Sequence, residues 1–97
     1  MEERAKQLAE LLKMLANENR LLVLCALTTG SLPVNKIAEK VPNITQSALS
    51  QHLAVLREEG MVDTRREAQT IHYSLVPGPA FEVIQTLHGI YCAPRQN

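Results

Sequence analysis

The stretch Thr45–Arg57, TQSALSQHLAVLR, decides the reading of this chain. Read at helical period, Leu49, Leu53 and Leu56 fall on one stripe. Ser47, Ser50, Gln51 and Ala54 fall on the opposite face, which has neither charge nor bulk. Short hydroxyls and amides are the side chains that hydrogen-bond to base edges and phosphate oxygens. An ordinary surface helix carries Lys and Glu there. No Asp or Glu occurs between Lys40 and Arg57, and a surface that must lie against phosphates cannot tolerate acids. The competing reading is a solvated helix that is merely poor in charge.

Just before this stretch, Val34 to Lys40 reads as a short helix, with Pro33 in its first turn and Val34, Ile37, Ala38 and Val41 facing inward. Pro42-Asn43 breaks it. Thr45 caps the next helix, which runs to Glu59 and stops at Gly60. Two short helices joined by a tight turn, the second with a polar outer face, make a helix-turn-helix over about residues 34–59. Met61–Arg65 and Thr70–Val76 read as two strands, with Val62, Thr64, Ile71, Tyr73 and Leu75 alternating with polar residues. His72 is among the latter and is expected to face solvent. Arg66-Glu67-Ala68-Gln69 connects the strands. A hairpin straight after a helix-turn-helix is a wing, here about residues 61–76, and its tip would bring Arg65 and Arg66 to phosphates or a minor groove.

At the chain ends, Glu2–Leu15 reads as a helix striped by Leu8, Leu11, Leu12 and Leu15. Asn17 caps a second helix through about Leu27, apolar nearly all round and therefore expected to be central and buried. Pro79 opens a last helix, Ala80 to Tyr91, that is apolar on two sides. In so small a domain the second side needs cover, and another copy of the chain is the natural cover, with the first helix as companion. The expected interface residues are Leu8, Leu12, Ile84, Leu87 and Tyr91, from dimerisation helices at about residues 2–15 and 79–91. The fold class is mainly α with a β-hairpin wing: a winged helix-turn-helix ordered helix-helix-helix-helix-strand-strand-helix. One domain over residues 1–97 and a homodimer through the first and last helices are expected.

A strongly basic chain would by itself argue for DNA. The 97 residues here have zero formal net charge, so charge has to be argued by region. No stretch approaches the roughly 18 apolar residues of a membrane span. The opening MEERAKQLAE lacks the apolar segment of a signal peptide, so a cytoplasmic location is expected, with Cys25 and Cys92 reduced at rest. There is no nucleophile-base-acid set and no Gly-rich phosphate loop, which argues against an enzyme, and no cofactor is expected.

This order of elements resembles the ArsR/SmtB family of bacterial winged-helix repressors. LKMLANENRLLVLCAL, QSALSQHLAVLREEGMV and REAQTIHYSL carry the resemblance over nearly the whole chain. It implies a homodimer on double-stranded operator DNA, with the Thr45–Glu59 helix in the major groove and the wings flanking it. Gln46, Ser47, Ser50 and Gln51 match the family's DNA-contacting positions. The expected DNA-binding set is Thr45, Gln46, Ser47, Ser50, Gln51, Arg65 and Arg66. The turn VPNIT is a residue longer than is usual in the family.

Many members of the family bind metals. One family site uses Cys-x-Cys near the first helix of the helix-turn-helix, where LPVNKIAEK has no thiol. Another uses acidic residues and histidines on the last helix, where only Glu82, His88 and Cys92 are available. Zinc wants about four ligands, so no metal site is expected. A sensor using Cys92 and His88 is the alternative within the class. Cys25, in LVLCAL, and Cys92, in YCAP, instead resemble the sulfide- and redox-responsive two-cysteine branch of SqrR, BigR, YgaV and HlyU-like repressors. That resemblance implies thiols bridged by a disulfide or short polysulfide after reaction with a persulfide or oxidant, which changes DNA affinity. Cys92 is the expected attacking thiol and Cys25 the resolving one. His88, one turn before Cys92, and Arg95 favour the thiolate; the helix C-terminus opposes it. The competing reading of Cys25 is a small core residue. His52 lies on the leucine side and reads as a packing or hydrogen-bonding residue. From another class, the rival is a dimeric protein-interaction module without specific DNA binding.

Overall fold

The computed structural model describes residues 2–92, with the side chain of Cys92 outside the described set. Helix α1 (Glu2–Leu15) leads to α2 (Glu18–Ala26), whose first turn is capped by Asn17 accepting from the Arg20 amide. A 3-10 turn at Leu27–Thr29 follows. Then come β1 (Leu32–Pro33), α3 (Val34–Glu39), α4 (Gln46–Glu58), β2 (Val62–Glu67) and β3 (Thr70–Leu75). The described residues finish with α5 (Pro79–Leu87) and a wide π-type turn at His88–Cys92. The three strands form one antiparallel sheet in the order β1-β3-β2.

Both ends of α4 are held by backbone chemistry. The Thr45 hydroxyl accepts from the Ala48 amide at 3.0 Å, satisfying one of the unpaired donors of the first turn. At the other end the Gly60 amide donates to the Arg57 carbonyl at 3.0 Å and the Met61 amide to that of Leu56 at 2.9 Å. This pair of bonds is the Schellman closure. It needs a left-handed residue after the cap, and Gly60, at φ 77°, supplies it without a Cβ penalty. Leu56 and Met61 are both buried, so the turn that ends α4 also aims the chain into β2.

The helices follow the expected pattern, and several boundaries differ. Leu32–Pro33 is a strand pairing Leu32 with Tyr73 and Pro33 with His72, so a third strand joins the expected hairpin. Pro33 caps α3 from an extended conformation rather than sitting inside its first turn. A strand of two residues has no alternation to read, and an edge position tolerates a residue without an N–H. β2 extends to Glu67, leaving a two-residue connection at Ala68-Gln69, with Ala68 at φ 57°. α5 ends at Leu87 instead of reaching Tyr91. Gly89, a weak helix former, lies in the wider turn that follows. Ala38 is exposed, not inward. The expected thiolate-favouring Arg95 lies outside the described residues.

One core joins all these elements: Leu15 of α1, Val23 and Leu24 of α2, Leu27, Ile37 and Val41 around α3, Leu49, Leu53 and Leu56 of α4, Met61, Val62, and Ile84 of α5. Among the described residues no polar or charged residue is buried with them. The second helix is central, as expected, although Leu22 is exposed on its outer side. Ile84, expected to face a second copy, is 0% exposed within its own chain. An apolar helix offers several stripes, and packing on α2 has taken the one through Ile84. Among the described residues no helix is long and apolar enough to cross a membrane.

Leu53→Ala is expected to remove about 2–5 kcal/mol of stability in urea unfolding, because its site is closed on all sides. Ser50→Ala, on the opposite face of the same helix, is expected to stay within about 0.5 kcal/mol.

Candidate nucleic-acid interface and thiol pair

With Leu49, Leu53 and Leu56 turned into the core, α4 presents Gln46, Ser47, Ser50, Gln51 and Ala54 to solvent, and Thr45 is exposed beside them. No charged residue of α4 lies on this surface before Arg57 in the last turn. The helix α3 before it and the short turn between them complete a helix-turn-helix, and β2–β3 is its wing.

The wing separates the two arginines. Side chains alternate along a strand, so Arg65 and Arg66 point to opposite faces of the sheet. The register agrees: Arg65 stands opposite His72, and Arg66 opposite Ile71. Arg65 Nη2 lies 2.9 Å from Glu67 Oε2, and His72 Nε2 lies 3.6 Å from Glu67 Oε1. These three side chains make a polar cluster on one face. His72, expected to face solvent, is 23% exposed, with Pro33 and Arg65 on the strands to either side of it. Arg66 lies on the other face, where its Nε donates to the Ala68 carbonyl at 3.3 Å. Ile71, opposite it, is exposed at the tip.

His52 makes a hydrogen bond, as its place on the leucine side suggested. Arg20 Nε donates to His52 Nδ1 at 3.3 Å, which leaves the proton of the neutral ring on Nε2. Arg20 Nη1 also donates to the Met14 carbonyl at 3.2 Å and lies 3.1 Å from Met14 Sδ. The sequence reading passed over Arg20. The available signal was a cation at the start of an otherwise apolar helix, since such a charge must find partners where it is half-buried.

Cys25 is half-buried on α2, and the Thr28 hydroxyl donates to its carbonyl at 2.7 Å. It lines an open cavity of about 270 Å³ together with Leu22, Ala26, Thr29, Lys40 and His88. The terminal turn, which begins at His88 and ends at Cys92, therefore returns to the helix that carries Cys25. His88 Nδ1 is buried and has no hydrogen-bond partner among the described residues. The Cys92 half of the thiol pair, and with it the Cys92/His88 metal alternative, lies outside the described side chains. Among the described residues no three His, Cys, Asp or Glu side chains converge as metal ligands. Leu8, Leu12, Leu87, Ile90 and Tyr91 form the large exposed apolar set at the two chain ends.

A helix-turn-helix with an uncharged outer face, followed by a hairpin wing, defines a winged-helix DNA-binding protein. The family model for bacterial regulatory proteins of the arsR family matches residues 17–64. The biofilm growth-associated repressor of Agrobacterium fabrum is 47% identical over 97 residues, which span all of this chain and 82% of that protein. The crystal structure of the repressor BigR from Xylella fastidiosa superposes with a TM-score of 0.89 at 39% identity, covering 100% of this chain and 95% of that one. Reduced HlyU from Vibrio cholerae matches with a TM-score of 0.87 at 44% identity, covering 96% of this chain and 97% of that one. The chain belongs to the arsR family. It is a DNA-binding transcriptional regulator and not an enzyme.

Burial first, and the charge of Arg20 second, hold the pKa of His52 below its ordinary value of 6.5. The folded chain then binds fewer protons at His52 than the unfolded chain does. Its contribution to stability is complete above pH 6.5 and is lost as pH falls through the lowered folded value. The urea midpoint is expected to fall more steeply below pH 6.5 for the wild type than for His52→Asn, which has no proton to gain.

Proposed function

We propose that this chain is a homodimeric, repressor-type regulator whose grip on operator DNA is weakened when a persulfide or oxidant bridges Cys25 and Cys92. Thr45, Gln46, Ser47, Ser50 and Gln51 meet the major groove in this reading, and Arg65 and Arg66 meet the flanking backbone. A cytoplasmic location and a single domain over residues 1–97 go with it. The exposed apolar residues Leu8, Leu12, Leu87 and Tyr91 supply the surface for the second copy, with Ile90 added and Ile84 removed to the core. Dimerisation gives two recognition helices a fixed separation, as two half-sites about one DNA turn apart require.

The observation that carries the switch is the shared cavity: Cys25 and His88, four residues before Cys92, line the same space. Lys40 gives that space a positive wall, which suits an anionic sulfur donor. The Cys92 thiolate attacks the outer sulfur of a persulfide R–S–SH, forming Cys92–S–SH and releasing R–S⁻. The Cys25 thiolate then attacks the Cys92 sulfur, forming the disulfide and releasing HS⁻. The two thiolates supply the two electrons, and the outer sulfur of the persulfide leaves as sulfide. A bridge between α2 and the terminal turn couples the core helix to the dimer surface. A change of ~1.4 kcal/mol in DNA binding already costs tenfold in affinity. The place of Cys25 beside His88 in this cavity favours the thiol reading over the metal alternative, which gives Cys25 no part.

Intact mass and DNA binding, measured together after glutathione persulfide, test this. The wild type is expected to lose both thiol hydrogens, or to gain bridging sulfur, and to bind its operator at least tenfold more weakly until a thiol reductant is added. Cys25→Ser and Cys92→Ser are each expected to bind normally when reduced and to ignore the reagent. A double serine variant that still responds would end the thiol reading, and a wild type that responds to zinc or chelator instead would put the metal sensor in its place.

A further inference from the structure

Helix α4 is attached to the rest of the domain almost wholly by apolar contact. Such contact is strong but non-directional, because it follows the area removed from water. Three leucines on one stripe fix which face is buried, and their close packing leaves only slight freedom of rotation about the helix axis. Base readout does not tolerate such freedom, since a hydrogen bond fails within a few tenths of an ångström beyond its range.

One directional contact does reach α4. The Arg20 Nε–His52 Nδ1 bond spans 32 positions of sequence and joins the first turn of α2 to the middle of α4. Among the described residues no other side-chain hydrogen bond or ion pair joins α4 to another element. The same guanidinium holds the Met14 carbonyl, one of the acceptors that the last turn of α1 leaves without a helical partner. Arg20 is thus a fork with one tine on the end of α1 and one on α4. His52 immediately follows Gln51, so a bond that holds the ring adds a directional restraint beside the outer face of α4.

We propose that Arg20 and His52 are positioning residues for DNA recognition: they set the rotation of α4 against the corner between α1 and α2. Neither residue has to touch DNA for this. The proposal needs DNA binding by α4 and is independent of the thiol chemistry. Its consequence is specific to discrimination. Contacts to phosphate tolerate a slightly rotated helix, whereas base-edge contacts do not.

The full chain would be tested on two duplexes of equal length, one selected from random sequence by the wild-type protein and one unrelated. His52→Leu removes the acceptor and keeps the bulk. His52→Asn restores an oxygen near the position of Nδ1. Arg20→Lys keeps the charge but cannot reach both Met14 and His52. His52→Leu and Arg20→Lys are expected to lose about tenfold in affinity for the selected duplex, with affinity for the unrelated duplex and its salt dependence unchanged. His52→Asn is expected to recover most of the loss. If His52→Leu does not fold, Arg20→Lys carries the same comparison. Wild-type affinity for the selected duplex in both variants overturns the proposal. So does an equal loss on both duplexes, or a His52→Asn variant no better than His52→Leu.

Discussion

Leu49, Leu53 and Leu56 are buried to 1% exposure or less, and their burial decides how α4 is presented. A helix with one apolar stripe must turn it inward, and the side chains left outside are then decided. Here they are short, polar and uncharged. The Thr45 cap and the Gly60 closure set where the helix begins and ends. They decide which residues sit on its exposed first turns, and these are the residues a groove would meet first. The hydrophobic stripe thus orients the polar face.

Charge in this protein works by local arrangement rather than by total. The chain is neutral, so its net charge does not draw it to DNA. The acid-free span from Lys40 to Arg57 removes repulsion where α4 is presented, and the arginines lie on the wing. The wing does not offer both equally. Glu67 occupies Arg65 and also faces His72, so that face is largely neutralised before DNA arrives. Arg66, on the opposite face, has no carboxylate partner among the described residues. Exposed ion pairs are weak, typically well under about 1 kcal/mol, so a phosphate can displace Glu67 from Arg65. It does so against a competitor that Arg66 lacks.

Most of the fold was legible in the sequence because its signals are local. Helical periodicity exposed α1, α2 and α4, and Asn17, Thr45 and Gly60 marked ends that the hydrogen bonds bear out. What the sequence hid depends on contacts between distant residues. β1 is a strand only because Tyr73 and His72 lie beside it. Ile84 looked available to a partner because α5 is apolar on two sides, and only packing tells which side is core. The separation of Arg65 from Arg66 follows from strand alternation once β2 is known to run through both. Arg20 was hardest to see, since its partners Met14 and His52 meet only in the folded chain. At the thiol pair, the sequence pointed to Cys25, while the closeness of His88 and Lys40 to it emerges only from the fold.

Recognition by this fold stands or falls on contact between the outer face of α4 and DNA. It is tested most directly by following backbone amide signals by nuclear magnetic resonance while a duplex selected by the protein is titrated in. The largest changes are expected at Ser47, Ser50 and Gln51 and at the β2–β3 tip, with the outer surfaces of α1 and α5 little affected. Changes concentrated on α1 and α5, with the α4 signals unmoved, would contradict it.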